Sequence, residues 1–199
     1  MEFRVVTARA DRASQRRLEV RTVCTRSDRN RVYPPPAELM AQDATKPIVE
    51  RYLEDFVVGQ TFTSGRAQVT QQEIQAFAAE FDPQPFHLDE AAAKESFFRG
   101  LAASGWHTAA ITMRLLVDSD LKPAGGVIGA GFDEFRWPRP VRPGDELHIE
   151  CEVLEVRPSR SLPDSGFIKL RTTTLNQDNE PVQIQIGNLL VLRRPSEER

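Results

Sequence analysis

The apolar positions that follow residue 50 first repeat with a helical period. In the first such segment the apolar residues lie three or four positions apart: Ile74, Phe77, Ala78 and Phe81. That spacing places them on one face of an α-helix. Thr70 and Glu73 precede them in the pattern of a capping box, in which each side chain accepts a hydrogen bond from the other residue's backbone. The pattern predicts a helix that begins after Thr70 and ends at Asp82, beside Pro83.

A second periodic segment starts at Ser104 and Gly105. Its apolar residues also share one predicted helix face: Trp106, Ala109, Ala110, Met113, Leu116 and Val117. Several of these residues are small, which would let neighbouring elements approach the helix closely. The pattern therefore predicts a buried helix that packs through this face. Between the two segments, residues 91–98 predict a short helix that ends near Gly100.

The last third of the chain has strand-like patterning. Four segments have strand character: 127–137, 146–156, 167–175 and 182–192. Pro-Gly-Asp at 143–145 and Gln-Asp-Asn at 177–179 are the turn signals that separate them. A shorter strand is predicted at 56–62. Helices that precede a run of antiparallel strands indicate an α+β fold, with the helices packed on one face of a sheet.

Composition narrows the class of protein. The chain has 199 residues, of which 28% are charged and 40% hydrophobic, and a net charge of -3. These values are typical of a soluble globular protein of one domain, or of one domain with a tail. The mild acidity argues against binding to nucleic acid. No run of about eighteen apolar residues exists that could span a membrane.

Cysteine and histidine usage points to the cytoplasm and away from a metal. Cys24 and Cys151 lie far apart and outside any zinc or disulfide spacing, which fits a reducing compartment. The three histidines have no metal-ligand spacing among themselves. His107, about one turn into the second helix, is expected to have a packing role, with the alternative that it faces a pocket, and His148 is expected to point to solvent or to an interface. We therefore expect a cytoplasmic protein with no metal and no cofactor.

The beginning of the chain differs in charge from the rest. Residues 1–47 contain ten Lys or Arg and six Asp or Glu, a net charge of +4. Because the whole chain has a net charge of -3, the remaining residues carry -7. This stretch has no sustained period and reads as a mobile extension. A second hypothesis is that translation begins at Met40. Measuring the intact mass of the natively expressed protein would distinguish the two. We expect one domain at 48–195 and a short tail at 196–199.

The candidate chemistry lies just after the first predicted helix. Residues 82–87 read Asp-Pro-Gln-Pro-Phe-His, which sets a carboxylate and an imidazole five positions apart on a segment stiffened by two prolines. Such a pair can hold a water and share the acid and base roles of a proton transfer. The alternative is that Asp82 and Pro83 form a turn that stops the helix, and that His87 fills a pocket.

Three motifs carry a resemblance to a known family. They are Phe-Asp-Pro-Gln-Pro-Phe-His at 81–87 followed by Ala93, Ala-Ser-Gly-Trp at 103–106, and the run 135–145 that ends in Pro-Val-Arg-Pro-Gly-Asp. Together with the order of elements, ending in a four-strand meander, they resemble the MaoC-like hot-dog dehydratases, which include the (R)-specific enoyl-CoA hydratases. The resemblance covers about residues 50–193. It implies a single hot-dog domain, in which an antiparallel sheet wraps around a central buried helix, and a homodimer or higher homo-oligomer.

The sequence departs from the family pattern at two places. The usual Gly-Asp-x-Asn-Pro core appears here with Phe81 in place of Gly and Gln84 in place of Asn. Where family members often carry a serine in the buried helix, this chain offers Ala109 or Ala110. The acid–base pair itself is retained.

The resemblance implies reversible addition of water to the α,β double bond of an acyl thioester. In that reaction Asp82 and His87 would act on the water. Gly105 would donate its backbone N–H to the thioester oxygen, because a helix N-terminus presents unpaired N–H groups. Five residues are candidates for substrate binding: Phe86, Ser104, Trp106, Arg136 and Arg142. Guanidinium groups suit the phosphates of coenzyme A or of a carrier protein's phosphopantetheine. For Ser104 the alternative is a helix N-cap, and for each arginine it is a solvated turn.

Two other functions stay open at this point. The same fold serves thioester hydrolases, in which an acidic side chain activates water at the carbonyl. A non-catalytic acyl-thioester binding protein is the second, because Phe81 and Gln84 differ from the family pattern. The choice between coenzyme A and a carrier protein is also left open.

Overall fold

The computed structural model describes residues 50–195. The predictions for the N-terminal extension, for Met40 and Cys24, and for the tail at 196–199 fall outside these residues. The elements begin with a 3-10 helix at Leu53–Asp55 and continue as β1 Thr61–Thr63, β2 Ala67–Gln68, α1 Gln71–Phe81, α2 Pro85–Leu88, α3 Glu90–Lys94, α4 Gly105–Asp118, β3 Ile128–Arg136, β4 Glu146–Pro158, β5 Ser165–Leu175 and β6 Pro181–Leu192.

Helix α1 begins and ends where the sequence predicts. The Thr70 hydroxyl accepts a hydrogen bond from the Glu73 N–H at 3.2 Å, and Glu73 Oε2 accepts one from the Thr70 N–H at 2.9 Å. The capping box is therefore complete. The helix ends at Asp82, whose φ of -150° is no longer helical, because the following Pro83 disfavours helical geometry in the residue before it.

Two short helices follow, and both differ from the prediction. Residues 85–88 form one helical turn, whereas the sequence predicted no helix in this proline-stiffened segment. The turn forms because Pro85 occupies the first helical position and its φ is already suitable. Helix α3 is shorter than the predicted 91–98. It is capped by the Asp89 side chain, which accepts from the Ala92 N–H at 2.7 Å, and it stops before Arg99 and Gly100, both of which have positive φ.

The sheet is antiparallel and has the strand order β1-β4-β5-β6-β3, with β2 paired to β4. Strands β4, β5 and β6 form a meander, as predicted. Strand β3 pairs with β6 and not with its successor β4, so the prediction of a four-strand meander is wrong. The connection from β3 to β4 contains Pro138, Pro140 and Pro143. Proline cannot donate a hydrogen bond to a neighbouring strand, which disfavours a hairpin here. The connection instead leads to β4, which is separated from β3 by β6 and β5.

The first short strand also starts later than predicted. Residues 56–60 form a turn after the 3-10 helix, in which Gly59 has a φ of +86°, and β1 covers only Thr61–Thr63. That φ favours glycine and is unsuitable for a continuous strand.

Helix α4 is buried as predicted at Leu116, but most of its buried face differs from the predicted one. Trp106, Met113 and Val117 are exposed on the single chain, whereas the buried face consists of His107, Thr108, Thr112, Leu115 and Leu116. The reason is that the inner face of the sheet is itself partly polar. The hydroxyls of Thr112 and Thr174 lie 2.7 Å apart, so threonine is accommodated where the sequence pattern alone favoured alanine and tryptophan.

Candidate active site

Asp82 and His87 come together in the structure. Asp82 lies at the end of α1 and His87 in the single turn of α2, and Asp82 Oδ2 is 3.4 Å from His87 Nε2. The imidazole is almost wholly buried, while the side chain of Asp82 keeps 21% of its accessible surface. The pair therefore has one enclosed member and one that reaches the surface.

The second nitrogen of His87 fixes the tautomer of the ring. His87 Nδ1 lies 2.8 Å from the backbone carbonyl oxygen of Ala102. A carbonyl oxygen can only accept, so Nδ1 carries a proton and donates it. In the neutral ring Nε2 is then unprotonated, and its lone pair faces Asp82.

Both oxygens of Asp82 accept hydrogen bonds. Ser104 Oγ donates to Oδ2 at 2.7 Å, and Gln84 Nε2 donates to Oδ1 at 2.7 Å. Partial burial acts to raise the pKa of Asp82, but the two hydrogen bonds and the nearby His87 together outweigh it and lower the pKa below its ordinary value. Asp82 is therefore a carboxylate at neutral pH.

The start of α4 lies beside this pair. Ser104 is the N-cap, and its hydroxyl accepts from the Trp106 N–H at 3.2 Å while it donates to Asp82. Gly105 is the first helical residue, so its N–H has no partner within the helix. A Cβ on Gly105 would lie 2.8 Å from Cε2 of Trp137. Only glycine lets the indole cover this end of the helix without a shift.

Phe86 supports the histidine. Its ring lies 4.5 Å from the imidazole of His87 in an edge-on arrangement and 5.2 Å from the ring of Phe98. Its backbone carbonyl also accepts from the Ala102 N–H at 3.3 Å. The residues that the structure brings together are thus Asp82, His87, Phe86, Ser104 and Gly105.

The other candidates lie elsewhere or make other contacts. Trp106 is 64% exposed and belongs to an aromatic cluster with Phe135 and Trp137, at centroid distances of 6.1 and 5.6 Å. Arg136 ends β3, and its Nε is 2.7 Å from Glu134 Oε1. The guanidinium of Arg142 donates to the backbone carbonyls of the segment that precedes Ser104.

Of the remaining histidines, His107 is buried between α1 and α4. Its ring stacks on Phe77 with the centroids 4.8 Å apart and the planes inclined by 12°. Burial lowers the pKa of His107, although Glu73 acts in the opposite direction. His148 is half-buried in β4.

Sequence reasoning did not identify two contributions to the site. Gln84 was noted only as a departure from the family pattern, yet it donates to Asp82. The Ala102 carbonyl leaves no trace in the sequence, because every residue has a backbone oxygen.

Within residues 50–195 no three His, Cys, Asp or Glu side chains are grouped as metal ligands. No helix in this part of the chain is long and apolar enough to cross a membrane.

An antiparallel sheet around a central helix defines the class, a hot-dog domain, and here a carboxylate and an imidazole lie beside the start of that helix. A family model described as "MaoC like domain" matches residues 55–170. The chain belongs to this family.

Three relatives illustrate the similarity. The structure of the MaoC-like dehydratase from Rhodospirillum rubrum is 58% identical, covers 73% of this chain and 99% of its own, and has a TM-score of 0.71. YdeM of Bacillus subtilis (strain 168), an uncharacterised protein, is 34% identical over 140 residues, which are 70% of this chain and 96% of YdeM. The R-hydratase PhaJ1 of Pseudomonas aeruginosa, in the unliganded form, is 27% identical, covers 74% of this chain and 93% of its own, and has a TM-score of 0.58.

Proposed function

We propose that this protein is a hydro-lyase that adds or removes water at the α,β double bond of an acyl thioester, with the water held by Asp82 and His87. The observation that carries the proposal is the pairing of two acceptors. Asp82 is a carboxylate, and His87 Nε2 presents a lone pair because Nδ1 donates to Ala102. Two acceptors 3.4 Å apart do not bond to each other, but one water can donate a proton to each.

The chemistry follows from that water. In the hydration direction its oxygen attacks the β-carbon while one member of the pair takes its proton. The pair then returns this proton to the α-carbon, so that the elements of water are added across the double bond and the pair regains its starting state. Negative charge that develops on the thioester oxygen is stabilised by the unpaired N–H of Gly105 and the positive end of the α4 dipole. Dehydration is the same path reversed.

The names of two relatives support the same reaction type, since one is a dehydratase and the other an R-hydratase. The substrate would be an acyl-CoA or an acyl-carrier thioester. Phe86 would border the acyl group from its place against His87. Arg136 is exposed beside its partner Glu134, and its guanidinium would suit the phosphates of a large thiol carrier.

A homodimer is part of the proposal. In the described chain β3 lies at an edge of the sheet and bonds only to β6. Exposed apolar side chains cover that edge and the neighbouring face of α4: Trp106, Met113, Val117, Ile128 and Phe132. An unpaired edge with an apolar surface favours pairing with a second copy. Size-exclusion chromatography with light scattering should give the mass of a dimer or larger at micromolar concentration; the mass of a single chain would refute it.

The test of the reaction is a parallel assay on a short trans-2-enoyl-CoA, following the conjugated absorbance and the release of free thiol. We expect the absorbance to fall without thiol release in the wild type. Asp82→Asn and His87→Ala should abolish that loss. Asp178→Asn and His148→Ala are matched controls, because they change the same residue types away from the pair, in an exposed turn and in β4, and they should retain activity.

Other outcomes distinguish the alternatives. Release of free thiol would identify a thioester hydrolase. Binding of the thioester without turnover, unchanged by Asp82→Asn and His87→Ala, would identify a non-catalytic binding protein. Either result would refute the hydro-lyase proposal.

A further inference from the structure

Both terminal nitrogens of the Arg142 guanidinium donate to the backbone of the protein itself. Its Nη1 donates to the carbonyl oxygens of Gly100 and Leu101 at 2.7 and 3.0 Å, and its Nη2 donates to the carbonyl of Phe98. These carbonyls belong to residues 98–104, which we call the connector segment because it joins α3 to α4. One charged side chain thus supplies donors to three backbone acceptors.

Of the three acceptors, Leu101 is buried and Phe98 and Gly100 are half-buried, and the connector segment is buried from Leu101 onwards. Leu101, Ala102, Ala103 and Ser104 are all inaccessible or nearly so. Buried backbone groups require hydrogen-bond partners, and their loss is costly. The planar fork of arginine can serve several carbonyls at once, whereas the single ammonium of a lysine cannot do so with the same geometry.

The same segment makes contact with both members of the acid–base pair. Ala102 O accepts from His87 Nδ1 at 2.8 Å, and Ser104 Oγ donates to Asp82 Oδ2 at 2.7 Å. A shift of this backbone would therefore disturb both contacts together.

Arg142 is itself held firmly in its turn. Its N–H donates to Asp145 Oδ2 at 2.7 Å, and its carbonyl accepts from the Asp145 N–H at 3.1 Å. The neighbouring Gly144 N–H donates to Val69 O at 2.8 Å, just before α1. The Ala103 N–H also donates to Val141 O at 2.9 Å. The turn and the connector segment are thus joined by both side-chain and backbone hydrogen bonds.

We propose that Arg142 is a positioning residue, which holds the connector segment so that the Ala102 carbonyl keeps the proton of His87 on Nδ1 and leaves Nε2 as an acceptor. The inference deepens the proposed function and rests on it only for the kinetic result. If the segment shifted, the proton could move to Nε2. That nitrogen would then donate directly to Asp82 Oδ2 and no longer accept from a water.

The experiment is 15N NMR of the histidine side chains, without substrate, at a pH where the imidazoles are neutral. The signals of His87 are identified by their loss in His87→Ala. In the wild type we expect the proton on Nδ1 only. In Arg142→Met, which keeps the side-chain length, we expect a mixture of both tautomers. Arg139→Met is the matched control, since Arg139 is exposed and contacts Pro181 O at 3.3 Å and Glu180 Oε1 at 3.4 Å, neither of which belongs to the connector segment. In this variant the tautomer of His87 should stay that of the wild type.

Kinetics on the enoyl thioester supply the second readout. For Arg142→Met we expect kcat to fall by about 100-fold with little change in KM, because displacement of a catalytic group acts on the chemical step. A raised KM with an unchanged tautomer would overturn the inference and indicate contact with the substrate carrier. If Arg142→Met fails to fold, Arg142→Lys replaces it, and a wild-type tautomer there would also overturn it. The NMR result stands even if the wild type hydrates no enoyl thioester, so the two proposals fail separately.

Discussion

The Ser104 hydroxyl donates to Asp82 Oδ2 at 2.7 Å and at the same time accepts from the Trp106 N–H at 3.2 Å. One side chain thus caps α4 and holds the carboxylate at the end of α1. The N-cap role, which the sequence offered as the alternative to substrate binding, is present, and the same oxygen also donates to Asp82.

Replacing Ser104 by alanine should lower kcat/KM on the enoyl thioester by about 10- to 100-fold. A hydrogen bond to a charged group contributes roughly 1.5–3 kcal/mol, and each 1.4 kcal/mol is about a tenfold change in rate. Steady-state kinetics with the parallel absorbance and thiol assay measure the effect.

The control for lost capping is Thr70→Ala, which removes the N-cap of α1 and leaves the bonds to Asp82 in place. Both changes should lower the free energy of unfolding by about 0.5–2 kcal/mol. Equal kcat/KM values for Ser104→Ala and Thr70→Ala would show that the bond to Asp82 does not matter.

The pKa of Asp82, which lies below its ordinary value in the wild type, should rise above that value when the donors Ser104 and Gln84 are both removed. Burial is the largest single influence and raises the pKa, and it is opposed by Ser104, Gln84 and His87 together. In the double variant Ser104→Ala/Gln84→Leu only His87 opposes burial, so we expect the pKa to lie above its ordinary value. Titration of the Asp82 carboxyl by 13C NMR measures this, with Gln71→Leu, an exposed glutamine, as the control.

The pH dependence of the free energy of unfolding should follow the direction of the Asp82 pKa shift. A lowered native pKa means that the Asp82 carboxylate stabilises the wild type above the unfolded pKa of about 3.9, and that this contribution is lost as the pH falls through the native value. With a raised pKa the contribution reverses, so ionisation destabilises the fold as the pH increases. The double variant should therefore be more strongly destabilised at pH 7 than at pH 4 in urea unfolding. An Asp82 pKa that is still below its ordinary value in the double variant would contradict this prediction.

Gly105→Ala should lower the free energy of unfolding by about 1–3 kcal/mol, as is typical when a packed site receives an extra methyl group. The new Cβ would lie 2.8 Å from Trp137 Cε2, and the indole is held by its 2.8 Å bond to Gln183 Oε1. In a Trp137→Leu background the same change should cost much less, because the clash is gone. Urea unfolding of the four proteins tests this, and equal costs in both backgrounds would refute it.

The buried threonine pair behind α4 should show strong coupling. Thr112 and Thr174 are almost fully buried, and their hydroxyls lie 2.7 Å apart. Thr112→Val leaves the Thr174 hydroxyl without this partner and should cost about 1–3 kcal/mol, whereas replacing both by valine should cost clearly less than the sum of the single changes.

Urea unfolding of the single and double variants measures this coupling. Thr61→Val, at an exposed position of β1, is the control and should change stability by less than about 0.5 kcal/mol. Additive costs for the pair would show that the two hydroxyls do not depend on each other.

Helix α1, the turns at 143–145 and 177–179, and most of the length of β4, β5 and β6 follow from the sequence. Each depends on residues that are close neighbours in the chain, such as the capping pair Thr70 and Glu73. The five-residue spacing of Asp82 and His87 is local in the same sense, because Pro83 and Pro85 limit the conformations of the segment between them. Local preferences are sufficient wherever the interacting groups are neighbours in sequence.

Tertiary structure decided which face of α4 is buried, which strand pairs with β3, and what surrounds Asp82 and His87. The bond from Ser104 to Asp82 spans 22 positions, and the contact of His87 with the Ala102 carbonyl spans 15. The Arg142 guanidinium reaches back more than 40 positions. Such contacts depend on how separate elements pack and on which backbone groups are left without partners, and neither is encoded in the period of a single segment.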